Sequence, residues 1–411
     1  MKEILSSIYP YLYLFFCFVL PLDKYATAVP NIIMISLIVI FPFVVKKQDF
    51  SKLLRKETIL FAVLVLYVTL NSFFFQDFTN DMIIISKIAS ALLLLVLFIP
   101  VERTENLMKT LVASVLVCII ISLYNLYFFY MEEEAFNFSS GSAINEVLII
   151  DRLYLGLLCV LSIISSIALI GNKYNEYNKW YFANIVLCIG FVLLIASRAA
   201  IILLLILFFL KIFYSKSKKE YALFFFGVVG LVLLAFAINK NLNERFFYSH
   251  STQKKEKSYF ELFKEWEPRV LIWECNYEIA VNKNPALTGL GFYHTKDLLV
   301  DCYADSIQRE KKRNYYIKSR FNPHNQYMDF YLSTGIIGVL LFIALLVSLF
   351  KERKSYYRVA FLLTIATFVF IESLFQRQLG AYLFAIVLIF MLFPKSETDS
   401  TEIELNPHEE D

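Results

Sequence analysis

Twelve apolar runs of near-bilayer length punctuate this chain, at about 8–22, 30–45, 58–76, 83–99, 108–131, 153–170, 180–196, 199–213, 221–238, 325–350, 356–372 and 379–393. A helix needs about 20 apolar residues to cross a hydrocarbon core about 30 Å thick. A soluble fold of 411 residues, 58% of them hydrophobic and 17% aromatic, could not hide that much apolar surface. The runs are continuous rather than alternating, which excludes a β-barrel. The expected fold class is therefore an all-α integral membrane protein with about twelve transmembrane helices.

The stretch 180–211 contains Arg198. As one helix it would be roughly 48 Å long at 1.5 Å per residue, too long for a single crossing. Two short spans joined by a tight turn at Ser197-Arg198 fit better. Lys and Arg then set the orientation. One set of connections carries Lys46, Lys47, Lys52, Arg55, Lys56, Arg103, Lys109, Lys173, Lys179, Lys211, Lys216, Lys218, Lys219, Lys351, Arg353, Lys354, Arg358 and Lys395. The alternate set holds Lys24, Arg152, Arg198 and Arg377 beside the acidic Glu132-Glu133-Glu134. Both termini are expected in the cytoplasm. The organisation read from this is spans one to nine in 1–238, a large outward loop in 239–323, spans ten to twelve in 324–394, and a disordered tail in 395–411. The N-terminal run, with Ala26-Thr27-Ala28 after it, has the look of a signal sequence, but a second run follows at once, so it reads as an uncleaved span. No internal repeat stands out, which argues against an inverted-repeat transporter.

A net charge of +3 carries no information about nucleic acid. The six cysteines show no metal-ligand spacing. Cys17, Cys118, Cys159 and Cys188 lie in apolar runs and read as small core residues. Cys275 and Cys302 share the outward loop and could pair in an oxidising compartment, although spacing alone does not supply the geometry.

The same loop holds the chemistry. From about Tyr259 to Asn282 it has helical character, with Pro268 suited to a first turn. Val270, Leu271, Trp273, Tyr277 and Val281 then recur at helical spacing and predict the buried face. Arg269 falls at a helix N-terminus, which favours an anion; the plainer reading is a surface pair with Glu265 or Glu267. The run 284–292, Asn-Pro-Ala-Leu-Thr-Gly-Leu-Gly-Phe, is a turn whose Gly289 and Gly291 let backbone approach a ligand closely. Pro323-His324-Asn325-Gln326-Tyr327 leads into the next span. His324 is an acid–base group near neutrality or, more plainly, an interfacial or capping residue. Arg198, Arg269, Arg320, His324 and Arg377 all fall on the outward side. An isolated cation between lipid-length segments is costly unless paired, so a bound anion is a natural partner.

Taken together, these segments resemble the O-antigen ligase and polymerase family of lipid-linked glycan transferases. The resemblance rests on Ser197-Arg198-Ala199 in an outward turn, Arg269 with Trp273 downstream, the Asn-Pro-x-x-Thr-Gly-x-Gly-Phe stretch, and His324-Asn325-Gln326-Tyr327 entering a span with Gly335-Ile336-Ile337-Gly338. It covers mainly 180–350. It implies a GT-C-type bundle in the bacterial inner membrane, capped by a helical periplasmic loop. It implies an undecaprenyl-diphosphate-linked glycan donor, an acceptor hydroxyl such as that of lipid A–core, and an inverting displacement. No metal or other cofactor is implied. On this reading Arg198 and Arg269 neutralise the leaving diphosphate and His324 takes the acceptor proton. Arg320, Arg377, Arg152, Gly289, Gly291 and Asn325 would line the donor or glycan site. Asp151 beside Arg152 is the plainer explanation of that arginine. Tyr259, Trp266 and Tyr293 could stack on sugars, though with 26 Tyr and 41 Phe packing is the commoner role. A repeat-unit polymerase and a protein O-oligosaccharyltransferase share this donor chemistry. A polysaccharide transporter or flippase is the reading from a different class, and would place charges at mid-membrane rather than at one face.

Overall fold

A computed structural model describes residues 2–22, 24–101, 103–132, 145–170, 175–215, 217–238, 263, 267–350 and 355–393. Of the helix expected from about Tyr259 to Asn282, Tyr259, Glu265 and Trp266 lie outside them. So do the acidic tail and the charges at 133–134, 173, 216, 351–354 and 395. The described residues are all-helical, without a strand.

Each apolar run folds as a helix. In chain order these are α1 (Lys2–Val19), α2 (Val29–Val44), α3 (Lys56–Phe75), α4 (Phe78–Leu97), α5 (Thr104–Glu132), α6 (Arg152–Leu169), α7 (Asn178–Leu194), α8 (Arg198–Tyr214) and α9 (Lys218–Ile238). A helical cap adds α10 (Pro268–Lys283), α11 (Phe292–Ser306) and α12 (Glu310–Ser319), and α13 (Gln326–Leu349), α14 (Tyr356–Ile371) and α15 (Gln378–Leu392) complete the bundle. Among the described residues, six helices are long and apolar enough to cross a bilayer: α1, α3, α4, α5, α6 and α13. The chain is a membrane protein.

A helix apolar on every side must be wrapped by others, and two helices are. Every α6 residue except Leu153 and Ile167 is buried, as is every α15 residue from Gly380 to Leu392. Around them α1 pairs with α2 and α5, α3 with α4 and α13, and α14 with α6, α8 and α15. The outer helices keep large apolar side chains exposed, among them Ile32 and Ile35 on α2, Leu66 on α3 and Phe182 on α7. That is a lipid-facing surface. Buried tyrosines cap helix ends: Tyr9 and Tyr13 donate to the Leu97 and Leu94 carbonyls at 2.8 and 3.0 Å. The Tyr9 bond supplies a partner to a last-turn carbonyl, and the Tyr13 bond adds to the one the Leu94 carbonyl already accepts from Phe98 N–H.

The turn at Ser197 is present. Helix α7 stops at Leu194 and α8 begins at Arg198, with Ala196 in the left-handed region at φ 49°. Gly156 on α6 makes room for it, since a Cβ there would lie 2.4 Å from Ser197 Oγ.

Helices α10–α12 form a small second core from Ile272, Cys275, Ile279, Leu299, Tyr303, Ile307 and Tyr316, closed by Leu332 of α13. Cys275 and Cys302 are bridged, tying α10 to α11. The predicted face of α10 is corrected here. Ile272, Cys275, Asn276 and Ile279 point inward, while Tyr277 and Val281 are exposed. The disulfide and the Asn276 amide, which donates to the Pro323 carbonyl at 2.9 Å, fix that rotation.

Candidate active site

Two buried carboxylates organise one end of the bundle. Glu267 is the residue before α10. Its Oε2 accepts from the Arg198 guanidinium at 2.5 Å and its Oε1 from Arg269 at 3.2 Å. Glu372 follows the last residue of α14. Its Oε2 lies 2.9 Å from His324 Nδ1 and 3.8 Å from Arg269. Arg269 also donates Nε–H to the Ile371 carbonyl at 3.0 Å. The order Arg198–Glu267–Arg269–Glu372–His324 is thus one continuous polar chain. It joins four segments far apart in sequence.

Local structure explains why each side chain is there. Pro268 starts α10 and places Arg269 in its first turn. His324 adopts φ 47°, a left-handed conformation uncommon for a side chain of its size. The backbone around it is pinned from four sides. Its N–H donates to Asn322 Oδ1 at 2.9 Å, and Trp273 Nε1 donates to its carbonyl at 3.3 Å. Asn276 holds the preceding carbonyl, and Asn325 caps α13 by accepting from Tyr327 and Met328 N–H. The strained φ is therefore over-determined by its surroundings.

The segment carrying Glu372 is held as firmly. Asn325 N–H donates to Ser373 Oγ at 3.2 Å, and Phe375 N–H donates to Gln326 Oε1 at 3.0 Å. Gln376 donates to both oxygens of buried Asp329 at 3.1 and 3.0 Å. Lys87 donates to the Gln376 carbonyl at 2.8 Å. Burial alone would push the Glu372 carboxyl up, but His324, Arg269 and Arg377 outweigh it and hold it below the usual carboxylate range.

The other sequence candidates take different places. Arg152 donates to the Ile195 carbonyl at 3.4 Å and so braces the Ser197 turn, close enough to Arg198 for their charges to repel. Asp151 does not serve Arg152 as expected but pairs with Arg377. Arg377 lies over the Tyr154 ring and stabilises Glu372 by its charge. Arg320 is not brought into the chain: it pairs with Asp297 at the surface and lies over Tyr293.

Gly289 and Gly291 need a correction. They meet protein, not an open ligand site. A Cβ on Gly289 would fall 2.3 Å from the Ser333 carbonyl carbon, and one on Gly291 3.0 Å from Asp81 Oδ2. Leu290 and Gly291 N–H donate to the Leu332 and Ser333 carbonyls at 2.7 and 3.0 Å, and Ile336 N–H donates to Ala286 O at 2.9 Å. Helix α13 opens at Gly335, φ 77°, to accept this loop. Asn71 and Gln76 of the α3 end cap the Thr288 and Gly289 carbonyls, and Asp81 of α4 accepts from Tyr293 N–H at 2.8 Å. The glycines allow a loop-to-helix junction that sets the height of His324 above the bundle.

The sequence reading missed Glu372, having absorbed it into the apolar run 356–372. A lone acid between Phe370-Ile371 and Leu374-Phe375 was the available signal. Among the described residues, four arginines (152, 198, 269 and 377) stand near three carboxylates (151, 267 and 372). No three His, Cys, Asp or Glu side chains among the described residues gather as metal ligands do.

No curated protein matches the chain. Residues 183–343 match the family model described as O-antigen ligase. This matched segment spans the Ser197 turn, Arg269, the glycine junction and His324, so the resemblance carried by those motifs is borne out, and over 183–343 the chain is similar to the O-antigen ligase family.

Proposed function

We propose that this protein is an O-antigen ligase-type glycosyltransferase. It moves a glycan from undecaprenyl diphosphate to an acceptor hydroxyl, that of lipid A–core in the first instance, without a metal. The observation that carries the reading is the single polar chain linking Arg198 and Arg269 to His324 at one end of the bundle.

The leaving group is a lipid diphosphate that gains negative charge as the glycosidic bond breaks. Guanidiniums held in advance by a buried carboxylate cost little reorganisation when that charge develops. Glu267 sets Arg198 and Arg269 side by side, and two forks so arranged suit phosphate oxygens. His324 accepts the proton of the attacking hydroxyl, and direct displacement inverts the anomeric carbon. Arg152, Arg377 and Asn325 support this arrangement from behind.

The site is proposed to face the periplasm. Lys24, Arg152, Arg198 and Arg377 gather at the same helix ends, with Lys24 reaching the Glu146 carbonyl at 2.7 Å. Arg55 and Lys211 lie at the opposite ends, against Leu392 and Tyr356. The Cys275–Cys302 bridge on the site's side fits an oxidising compartment, and the lysine-rich connections on the other fit the cytoplasm.

The test is a surface-glycan gel of a deletion strain carrying the wild-type gene, His324→Ala or Arg269→Ala. Loss of long-chain glycan from lipid A–core in both variants, with glycan accumulating on its carrier and normal protein levels, is expected. A core bearing a single repeat unit would replace ligase by polymerase. Wild-type ladders in both variants would remove these residues from the site.

A further inference from the structure

We propose that Glu372 is a positioning residue that holds His324 as the tautomer protonated on Nδ1, so that bare Nε2 receives the acceptor proton. This rests on the transferase reading above.

The geometry leaves one assignment. Glu372 is buried, with 4% of its side chain exposed, and its Oε2 lies 2.9 Å from His324 Nδ1. An ionised carboxylate only accepts hydrogen bonds. The positive charges of Arg269 and Arg377 favour the ionised form of Glu372 against its burial. Nδ1 must then be the donor, and the neutral ring carries its lone pair on Nε2. The imidazole is also fixed sideways, because the Phe321 ring packs on it at 5.7 Å between centroids. Both partners sit on clamped backbone, one through Asn322, Trp273 and Asn325, the other through Ser373 and Phe375.

The step balances as follows. The acceptor oxygen bonds to the anomeric carbon as its proton passes to Nε2. The carbon–oxygen bond to the diphosphate breaks, and its electron pair leaves with the diphosphate. The imidazolium that results has its new charge facing Glu372. It regains neutrality by releasing the Nε2 proton to water or to the departing diphosphate. Glu372 therefore steadies His324 most when His324 is charged, which is after proton transfer has begun.

The same carboxylate also faces Arg269 at 3.8 Å. One buried group thus sets the spacing between the proton acceptor and a guanidinium assigned to the leaving group. A merely structural salt bridge would hold the fold without any demand on the tautomer.

Purified full-length protein in detergent, turning over a lipid-diphosphate-linked glycan, provides the test. Glu372→Gln keeps the shape but offers an amide N–H to Nδ1, which favours the wrong tautomer. The expected result is a kcat at least about 100-fold lower with a donor KM within about twofold of wild type. Glu372→Asp is expected to recover part of the loss. Nitrogen-15 NMR of labelled histidine in the wild-type protein gives an independent reading that needs no variant to fold. A protonated Nδ1 on His324 is expected, and a protonated Nε2 in the neutral ring overturns the proposal. So does Glu372→Gln with wild-type kcat. His324→Gln separates the two levels: if it is inactive while Glu372→Gln is fully active, only the role of Glu372 falls. If His324→Gln is itself fully active, the transferase site falls with it.

Discussion

Two sets of ion pairs occupy the same end of the bundle and differ in burial. At the rim, Arg320 meets Asp297 and Arg377 meets Asp151, with the arginine side chains 46% and 49% exposed. Inside, Glu267 and Glu372 are 8% and 4% exposed and are shared by Arg198, Arg269 and His324. Water screens the first set, so each pair contributes about 0–1 kcal/mol. Breaking a pair in the second leaves a charge with little water to turn to. Charge and sidedness in the sequence group all these arginines together, and only the resemblance puts Arg198 and Arg269 ahead of Arg320 and Arg377. Burial separates them into pairs that water screens and pairs that it does not.

The largest effect expected from breaking this contrast is in Glu267→Ala. Removing the shared carboxylate leaves two guanidiniums facing each other, and stability should fall by about 2–3 kcal/mol, discounted because both arginines remain about a quarter exposed. Thermal unfolding in detergent measures this, and a wild-type midpoint would place Glu267 with the rim pairs.

A smaller effect sharpens the contrast through pH. The folded-state value of Glu372 is depressed below its ordinary 4.5. Its contribution to stability is therefore complete above that value and is lost as pH falls toward the folded-state value. The gap in unfolding midpoint between wild type and Glu372→Gln should narrow as pH drops from 6 to about 3.5. A gap that widens on acidification would mean that the carboxyl is destabilised by burial rather than stabilised by its neighbours.

The smallest effect belongs to Arg320→Ala, with a stability change within about 0.5 kcal/mol. A loss as large as that of Glu267→Ala would move Arg320 from the rim to the interior set.

Much of the fold was legible because apolar runs of bilayer length admit few alternatives. The break at Ser197 followed from length alone, and the structure has it within a residue. The face of α10 was not legible, because Tyr277 and Val281 count as apolar by composition yet stay exposed once a disulfide and Asn276 fix the helix rotation. Within the site, Arg198, Arg269 and His324 stand out as cations in apolar or helix-start contexts. Glu372 does not, since one acid at a helix end gives no periodic signal and its partner lies 48 residues away. The two glycines misled for a related reason: a turn that permits close approach does not say what approaches.

The junction beneath the site also bears on how the chain is made. Asn71 and Asp81 belong to hairpin α3–α4, yet their partners Thr288 and Tyr293 lie 217 and 212 residues further along. A ribosome delivering this chain to the membrane must leave those polar groups without their final partners while five more helices are inserted. Until the loop arrives and α13 opens at Gly335 to receive it, the early hairpin is a template with an empty slot. Assembly of the helical cap is thus the step that closes the whole bundle, and truncation before α13 should yield an inserted but unfinished protein.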